Sequence, residues 1–412
     1  MNNILKVNQK YLKGVLMIAT LWLAYVALVV NWIGGSNLSP QVIDYFFGEP
    51  VDPIISQMIN YSITFARAIA NMLAAMILIK LGVKFSSLLA LTMLAFCLLA
   101  IIMPNYWFYT LARMIMGLGG SMLVIYINTL IYHYIPKKQQ IIFNGFNTAS
   151  YNVGALLVAI CFSLWGNWLI LDWQKSLFIF GISTLVLLFL WLLIAENFKF
   201  TEKEGVVEDK SATYLSVIKT KFMWQYISVF SGFIFLYVFS LTSLPILLQI
   251  NFSVKSYLII FALAGGGLAG NIAGIFLGRL SIARKKILYI CGFFMIIFMA
   301  LVFLNLPNSN FLLIYIFATL SGFFMCLQYP VFVNIAYEQK SMSAKKISIV
   351  IGYMWGFSYG FYTILSIIWS FVAQHLGLDI ALIFYITTSA VLYSIVYFLP
   401  ETYIKDHKNY GL

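Results

Sequence analysis

The residues in this chain that could do chemistry are few, and their surroundings are unusual. Arg67 and Arg113 lie inside long apolar stretches, whereas all thirteen acidic residues, among them Asp44, Glu49, Asp52, Asp172, Glu338 and Asp379, fall in connectors or at the ends of such stretches. A charge in low dielectric needs a partner. With no carboxylate at that depth, the economical expectation is that an anionic or carboxylate-bearing ligand completes the site. A planar guanidinium fork matches such groups bidentately. Arg113 opens the run Arg113-Met-Ile-Met-Gly117-Leu-Gly119-Gly120-Ser121, whose small residues strip a helix face to backbone. A helix-packing site whose arginine snorkels to the surface is the competing reading there.

Polar residues inside the apolar stretches supply the rest of a candidate lining. Asn144, Asn147 and Tyr151 follow i, i+3, i+7 spacing and so share one helix face. Tyr126 and Asn128, Tyr237, Asn271, Gln328 and Tyr329, and Tyr353, Trp355 and Tyr359 add amides, phenols and an indole. The expected ligand-binding set is Arg67, Arg113, Tyr126, Asn144, Asn147, Tyr151, Tyr237, Asn271, Gln328, Tyr329, Tyr353 and Tyr359. Any one of these could instead bond to a neighbouring helix, worth about 0.6 kcal/mol. It is the set as a whole that points to a lining.

Other chemistries find little support. His133 and His375 stand near helix ends and His407 in the tail, without an Asp partner or metal-ligand spacing, so no catalytic residue, cofactor or enzyme activity is expected. Cys97, Cys161, Cys291 and Cys326 lie in apolar runs with no close pairing, which argues against both a disulfide framework and a metal site. A proton relay would need a buried Asp, Glu or His. Its lack favours facilitated diffusion, anion exchange or a substrate that carries its own proton. Glu338 is the possible exception, with a surface carboxylate as its plainer reading.

These residues must be positioned by membrane-spanning helices. The chain is 62% hydrophobic and 9% charged, with a mean hydropathy of +0.94; soluble proteins carry roughly 25% charged residues. A bilayer core of about 30 Å needs roughly 20 apolar residues per helix. Twelve such runs are expected, near 14–34, 55–79, 86–103, 106–134, 141–165, 175–195, 223–248, 256–278, 287–305, 311–337, 347–374 and 380–399. The first is read as a span and not a removable signal peptide. The net charge of +12 is scattered through connectors and reads as a topology signal, with no nucleic-acid partner expected. Alternate connectors carry twenty-one basic residues and the opposite set only Lys175 and Lys255, which by the positive-inside rule puts both termini in the cytoplasm.

The spans divide six and six. A mixed-charge stretch over 197–222 is expected to be a solvated linker, with a short amphipathic helix over 214–221, between bundles at 1–196 and 223–412. Compact basic turns recur after the second span (Lys80 to Lys84) and after the eighth (Arg279 to Lys286). Gly265-Gly266-Gly267 with Gly270, and Gly352, Gly356 and Gly360, suit close helix packing more than hinges. Pro245 and Pro330 are expected to kink spans seven and ten.

Twelve spans, the six-plus-six split and the basic turns resemble the major facilitator superfamily of secondary transporters, over essentially the whole chain. Arg113 to Gly120 looks like that superfamily's fourth-helix motif of arginine, glycine four positions on and further small residues. The basic turns are similar to its loop motif in degraded form: Ala75 replaces a glycine, Ile79 and Gly278 replace the aspartates, and Val83 replaces a basic residue. The aspartate's charge-relay role is therefore not carried over. Helix five lacks the glycine-proline motif of many proton-driven exporters. There is also a weak likeness to cyanate-permease-type and small-anion uptake members.

The resemblance implies an all-α membrane protein of two six-helix bundles working by alternating access. The expected function is uptake of a small hydrophilic, anionic or carboxylate-bearing metabolite by a multi-pass carrier in a bacterial inner membrane, with the lipid bilayer and a small-molecule substrate as partners and a monomeric state. An exporter of a siderophore or drug-like compound is the alternative within the class. A polytopic membrane enzyme or a receptor is the alternative from outside it, although no connector is large enough for a receptor domain.

Overall fold

The computed structural model describes residues 2–198, 214–278, 280, 282–339 and 344–402. Within these residues the regular structure is entirely helical, and eleven continuous helical segments are long and apolar enough to cross a membrane. One of them, Met58–Ala100, has 43 residues. At about 1.5 Å per residue it would run roughly 65 Å, twice the hydrocarbon core. It turns back at Gly82, whose φ of 75° and ψ of 170° belong to no helix and suit a residue without Cβ. The segment therefore crosses twice, and the spans number twelve.

In order these are α1 (Asn2–Asn37), α2 (58–81), α3 (83–100), α4 (Tyr106–Tyr134), α5 (Lys137–Leu171), α6 (Trp173–Ile194), α7 (Lys221–Thr242), α8 (Ser256–Gly278), α9 (Arg284–Leu304), α10 (Phe311–Ala336), α11 (Ala344–Leu376) and α12 (Leu378–Phe398). The protein is an integral multi-pass membrane protein of two six-helix bundles. Most of the linker expected over 197–222 lies outside the described residues; the short helix expected from 214 is present as Tyr214–Ile218.

Because the span number is even, the chain enters α1 and leaves α12 at the same end, the terminal end; the opposite one is the far end. At the terminal end the Gly82 turn is held to the chain following α6. Val83 donates its N–H to the Phe198 carbonyl at 3.1 Å, Lys84 N–H donates to Asn197 Oδ1 at 3.2 Å, and the Trp191 indole donates to the Lys84 carbonyl at 3.1 Å. In the second half, Arg284 is buried and donates Nη2 to Glu338 Oε1 at 2.8 Å, while Thr402 Oγ1 donates to Glu338 Oε2 at 2.9 Å. Glu338 is thus a half-buried, paired carboxylate and not the surface group its sequence position suggested.

Small residues set the packing. Gly266, Gly270 and Gly274 recur every four positions on α8, and a Cβ at each would run into α10 backbone at Thr319, Phe323 and Leu327. These glycines let two backbones touch, as expected. Gly119 likewise presses on Ala90 and Gly117 on Ile63, seating α4 against α3 and α2. The bundles meet where α2 packs on α11 and α5 on α8. Helix α7 breaks at Ser243, just before Pro245, and α10 breaks at Gln328, just before Pro330, where each proline removes a donor.

Candidate functional site

A cavity of about 60 Å³ lies between the bundles at the level of Arg67 and extends from there toward the terminal end. The first bundle contributes Tyr25, Arg67, Asn71, Asn128, Asn147, Thr148, Ser150 and Tyr151, with Val124 and Ile125. The second contributes Phe233, Tyr237, Tyr329, Trp355 and Tyr359, with Ile234 and Ile351. Every amide, aliphatic hydroxyl and charge in the lining belongs to the first bundle. The second presents rings and aliphatic side chains.

Arg67 is 2% exposed. It sits ten residues into its helix, and rings cover its guanidinium: the carbon Cζ lies 4.5 Å from the Tyr359 ring centroid, 5.2 Å from Trp32 and 5.7 Å from Tyr25. Such cation–π contacts are worth about 2 kcal/mol or more where water is excluded, far less than a full charge needs at this depth. Nη2 donates to the Tyr25 hydroxyl at 3.0 Å. Nε and Nη1 have no acceptor, so at least three of the five N–H bonds of the fork are unmet. Asn71, one turn further along the same face, has an unmet Nδ2. On α5, Asn147 donates Nδ2 to Asn128 Oδ1 at 2.8 Å but leaves Oδ1 free, and the Tyr151 hydroxyl is also unpartnered. Each buried polar group left so costs about 1–3 kcal/mol until something meets it.

Of the residues singled out in the sequence, Arg67, Asn147, Tyr151, Tyr237, Tyr329 and Tyr359 come together around this cavity. The other six do not line it. Arg113 is buried against α1, donating Nη2 to the carbonyls of Asn31 at 3.2 Å and Trp32 at 3.3 Å, with its head against Gly35, where a Cβ would collide with it. Tyr126 is fully buried, and its hydroxyl has no hydrogen-bond partner. Asn144 is exposed. Asn271 is 1% exposed with neither side-chain atom bonded. Gln328 bonds to Tyr393 and donates to Met295 Sδ at 3.0 Å. Tyr353 lies edge-on to Phe357.

Sequence reasoning missed Tyr25, Asn71, Thr148 and Ser150. Asn71 carried a signal, the i+4 spacing from Arg67 that puts both on one helix face. Tyr25 carried none, being one ring among many apolar neighbours.

The far end of the cavity is closed by a polar network joining the bundles. Asn60 accepts from the Trp32 indole at 3.0 Å and the Ser36 hydroxyl at 2.7 Å, and donates to Gln57 Oε1 at 3.0 Å. Ser243 of the second bundle donates to Gln57 Oε1 at 2.8 Å. Tyr61 donates to the Ser366 carbonyl at 2.9 Å, Thr64 bonds to Thr363 at 2.8 Å, and Gln374 donates to Asp52 at 2.9 Å. All of these lie on the far side of Arg67. Near Arg67's own level, Tyr237 donates to Asn152 Oδ1 at 2.8 Å, joining α7 to α5.

The profile of the Major Facilitator Superfamily matches residues 15–361. The chain belongs to that superfamily. It is therefore a membrane transporter and not an enzyme. It is 25% identical over 409 residues to an uncharacterised protein of Mesomycoplasma hyopneumoniae strain 232, covering 89% of this chain and 84% of that one. It is 24% identical over 345 residues to a major facilitator superfamily transporter of Mycoplasma pneumoniae strain M129, covering 74% of this chain and 62% of that protein. Among solved structures, it superposes on a D-xylose–proton symporter with a TM-score of 0.72 at 13% identity, covering 95% and 99% of the two chains. A partially occluded inward-open conformation of the Escherichia coli xylose transporter XylE gives 0.74 at 14% identity, over 96% and 99%. At those identities the likeness concerns the fold.

Proposed function

We propose that this protein takes up a small hydrophilic anion, most simply a carboxylate, by alternating access, with Arg67 as the group that binds it. One observation carries the reading: a buried guanidinium in the central cavity with Nε and Nη1 unmet and no carboxylate bonded to it among the described residues. A carboxylate or other oxyanion would take up those donors and neutralise the charge together. Asn147, Tyr151, Tyr237, Tyr329 and Tyr359 complete the proposed site, joined by Asn71 and Asn128. Arg113 is proposed to brace α4 against α1.

Connector charge supports placing the terminal end in the cytoplasm. The network around Asn60 is then the closed outer gate, and the cavity opens inward once the α5–α8 and α2–α11 contacts loosen. Its 60 Å³ is well under the 300–1,000 Å³ of sites that enclose small ligands, so admitting substrate requires the bundles to part.

The test is uptake of radiolabelled organic anions by the purified protein in proteoliposomes, with Arg67→Gln and Arg67→Lys beside the parent. Loss of uptake at least tenfold in Arg67→Gln, with normal insertion and yield, is the expected result. Equal kinetics in parent and Arg67→Gln would remove Arg67 from the site and the anion reading with it.

A further inference from the structure

The cavity has two unlike halves, and the ligand must match both. We propose that the transported anion is a sugar acid: a singly charged carboxylate carried on a polyhydroxylated ring. This rests on the anion reading above and names its substrate class.

Charge sets the head group. Arg67 is the one cation in the lining, and Asn71 Nδ2, one turn away, adds an unmet donor on the same face. A monoanion balances one guanidinium. A dianion such as a phosphate monoester would bring a second negative charge into the same low-dielectric space with no cation to meet it.

The unmet neutral groups set the body. Asn147 Oδ1 accepts only, the Tyr151 hydroxyl gives or accepts, and Asn128, Thr148 and Ser150 stand beside them in the lining. Hydroxyl groups, which both donate and accept, suit this mixture. An aromatic or aliphatic acid would leave the amide and phenol oxygens buried and unpaired.

The second bundle sets the shape. Phe233 stacks between Tyr237 (centroids 5.5 Å apart, planes at 16°) and Tyr329 (5.9 Å, 14°), and Trp355 stacks on Tyr359 (5.8 Å, 16°). These rings form a continuous aromatic wall opposite the amides. The C–H face of a saturated sugar ring is apolar and fits against an apolar aromatic wall of this kind. A short acid with no ring leaves the wall uncovered.

The test is the ligand-induced rise in melting temperature of the purified full-length protein, titrated with D-glucuronate, D-glucose, L-lactate, benzoate and D-glucose 6-phosphate. D-Glucuronate should stabilise at a concentration about tenfold or more below any of the others. Arg67→Gln should erase its advantage over glucose, and Trp355→Leu should shrink its advantage over lactate. Lactate or benzoate as potent as glucuronate would overturn the sugar body while leaving the anion reading intact. Glucose 6-phosphate as potent as glucuronate would overturn the single carboxylate, again leaving the anion reading. Glucose as potent as glucuronate would sink both. No stabilisation by glucuronate would overturn the sugar acid alone, since uptake by Arg67→Gln judges the anion separately.

Discussion

Trp32 touches Arg67 and Asn60 at once: its ring lies 5.2 Å from the Arg67 guanidinium carbon, and its indole N–H donates to Asn60 Oδ1 at 3.0 Å. One side chain thus touches both Arg67 and the network closing the far end. Tyr151 meets the same ring edge-on at 6.0 Å. A ligand that draws the Arg67 head away from the ring changes a contact on the residue that holds Asn60.

Trp32→Phe keeps a ring over Arg67 and removes the donor to Asn60. Asn60 retains Ser36 and Gln57, so the loss is that of one buried hydrogen bond, about 0.5–1.5 kcal/mol. Asn60, which also donates to Ser243 of the second bundle at 3.3 Å, is then held less firmly, and the far end should open more often, by up to about tenfold, with ligand affinity little changed. Labelling rates of a single cysteine introduced at Ser243 measure this. An unchanged labelling rate would mean that the indole is not part of the seal.

Arg67→Met should separate stability from function. The substitution gives up the Tyr25 bond and the ring contacts but removes a buried charge that no carboxylate balances, and an apolar side chain fills the space, so the melting temperature should hold or rise. Transport should fall at least tenfold. A clear drop in melting temperature would show that the Tyr25 bond and the ring contacts outweigh the cost of burying the charge.

Arg113→Gln should do the reverse. The charged bonds to the Asn31 and Trp32 carbonyls would be lost, each worth about 1.5–3 kcal/mol, loosening α4 from α1. Yield and melting temperature should fall, while any surviving protein keeps its ligand ranking. Gly35→Leu should mimic it by displacing the guanidinium. A changed ligand ranking in Arg113→Gln would tie Arg113 to the substrate.

Gly270→Val should be far more damaging than Gly265→Val, although the two are five residues apart. A Cβ at Gly270 meets the Phe323 carbonyl and the Leu327 nitrogen, both rigid backbone, and overpacking of this kind costs about 1–3 kcal/mol or more. At Gly265 the nearest atom is the end of the Leu156 side chain at 3.9 Å. Size-exclusion profiles of the two variants after heating would rank them.

The parts of this molecule that were readable in advance are those that a bilayer dictates. Twelve spans followed from apolar length, and the kinks at Ser243 and Gln328 from the missing donors of Pro245 and Pro330. Arg67 stood out because its charge is costly wherever it points. Amides and phenols gave no such signal, since Gln328 bonded to Tyr393 and Asn147 open to the cavity look alike in sequence. Which face of a helix looks inward depends on how far the helix is rotated, and that is fixed by close contacts such as Gly266 against Thr319 and Gly119 against Ala90. Local spacing does not report rotation. Asn71 was the exception, one turn from a residue already identified.

The positive charge of Arg67 in the central cavity also sets how a carrier of monoanions should respond to membrane voltage. When the bundles rock, the empty cavity carries that charge through the field, while a cavity loaded with a monoanion carries none; Arg113, held on the Asn31 and Trp32 carbonyls, is the same in both. A potential of 100 mV acts on a unit charge with up to about 2.3 kcal/mol. Voltage should therefore govern the return of the unloaded form and leave the loaded crossing nearly untouched, so that exchange runs at the same speed in polarised and depolarised vesicles while net uptake does not.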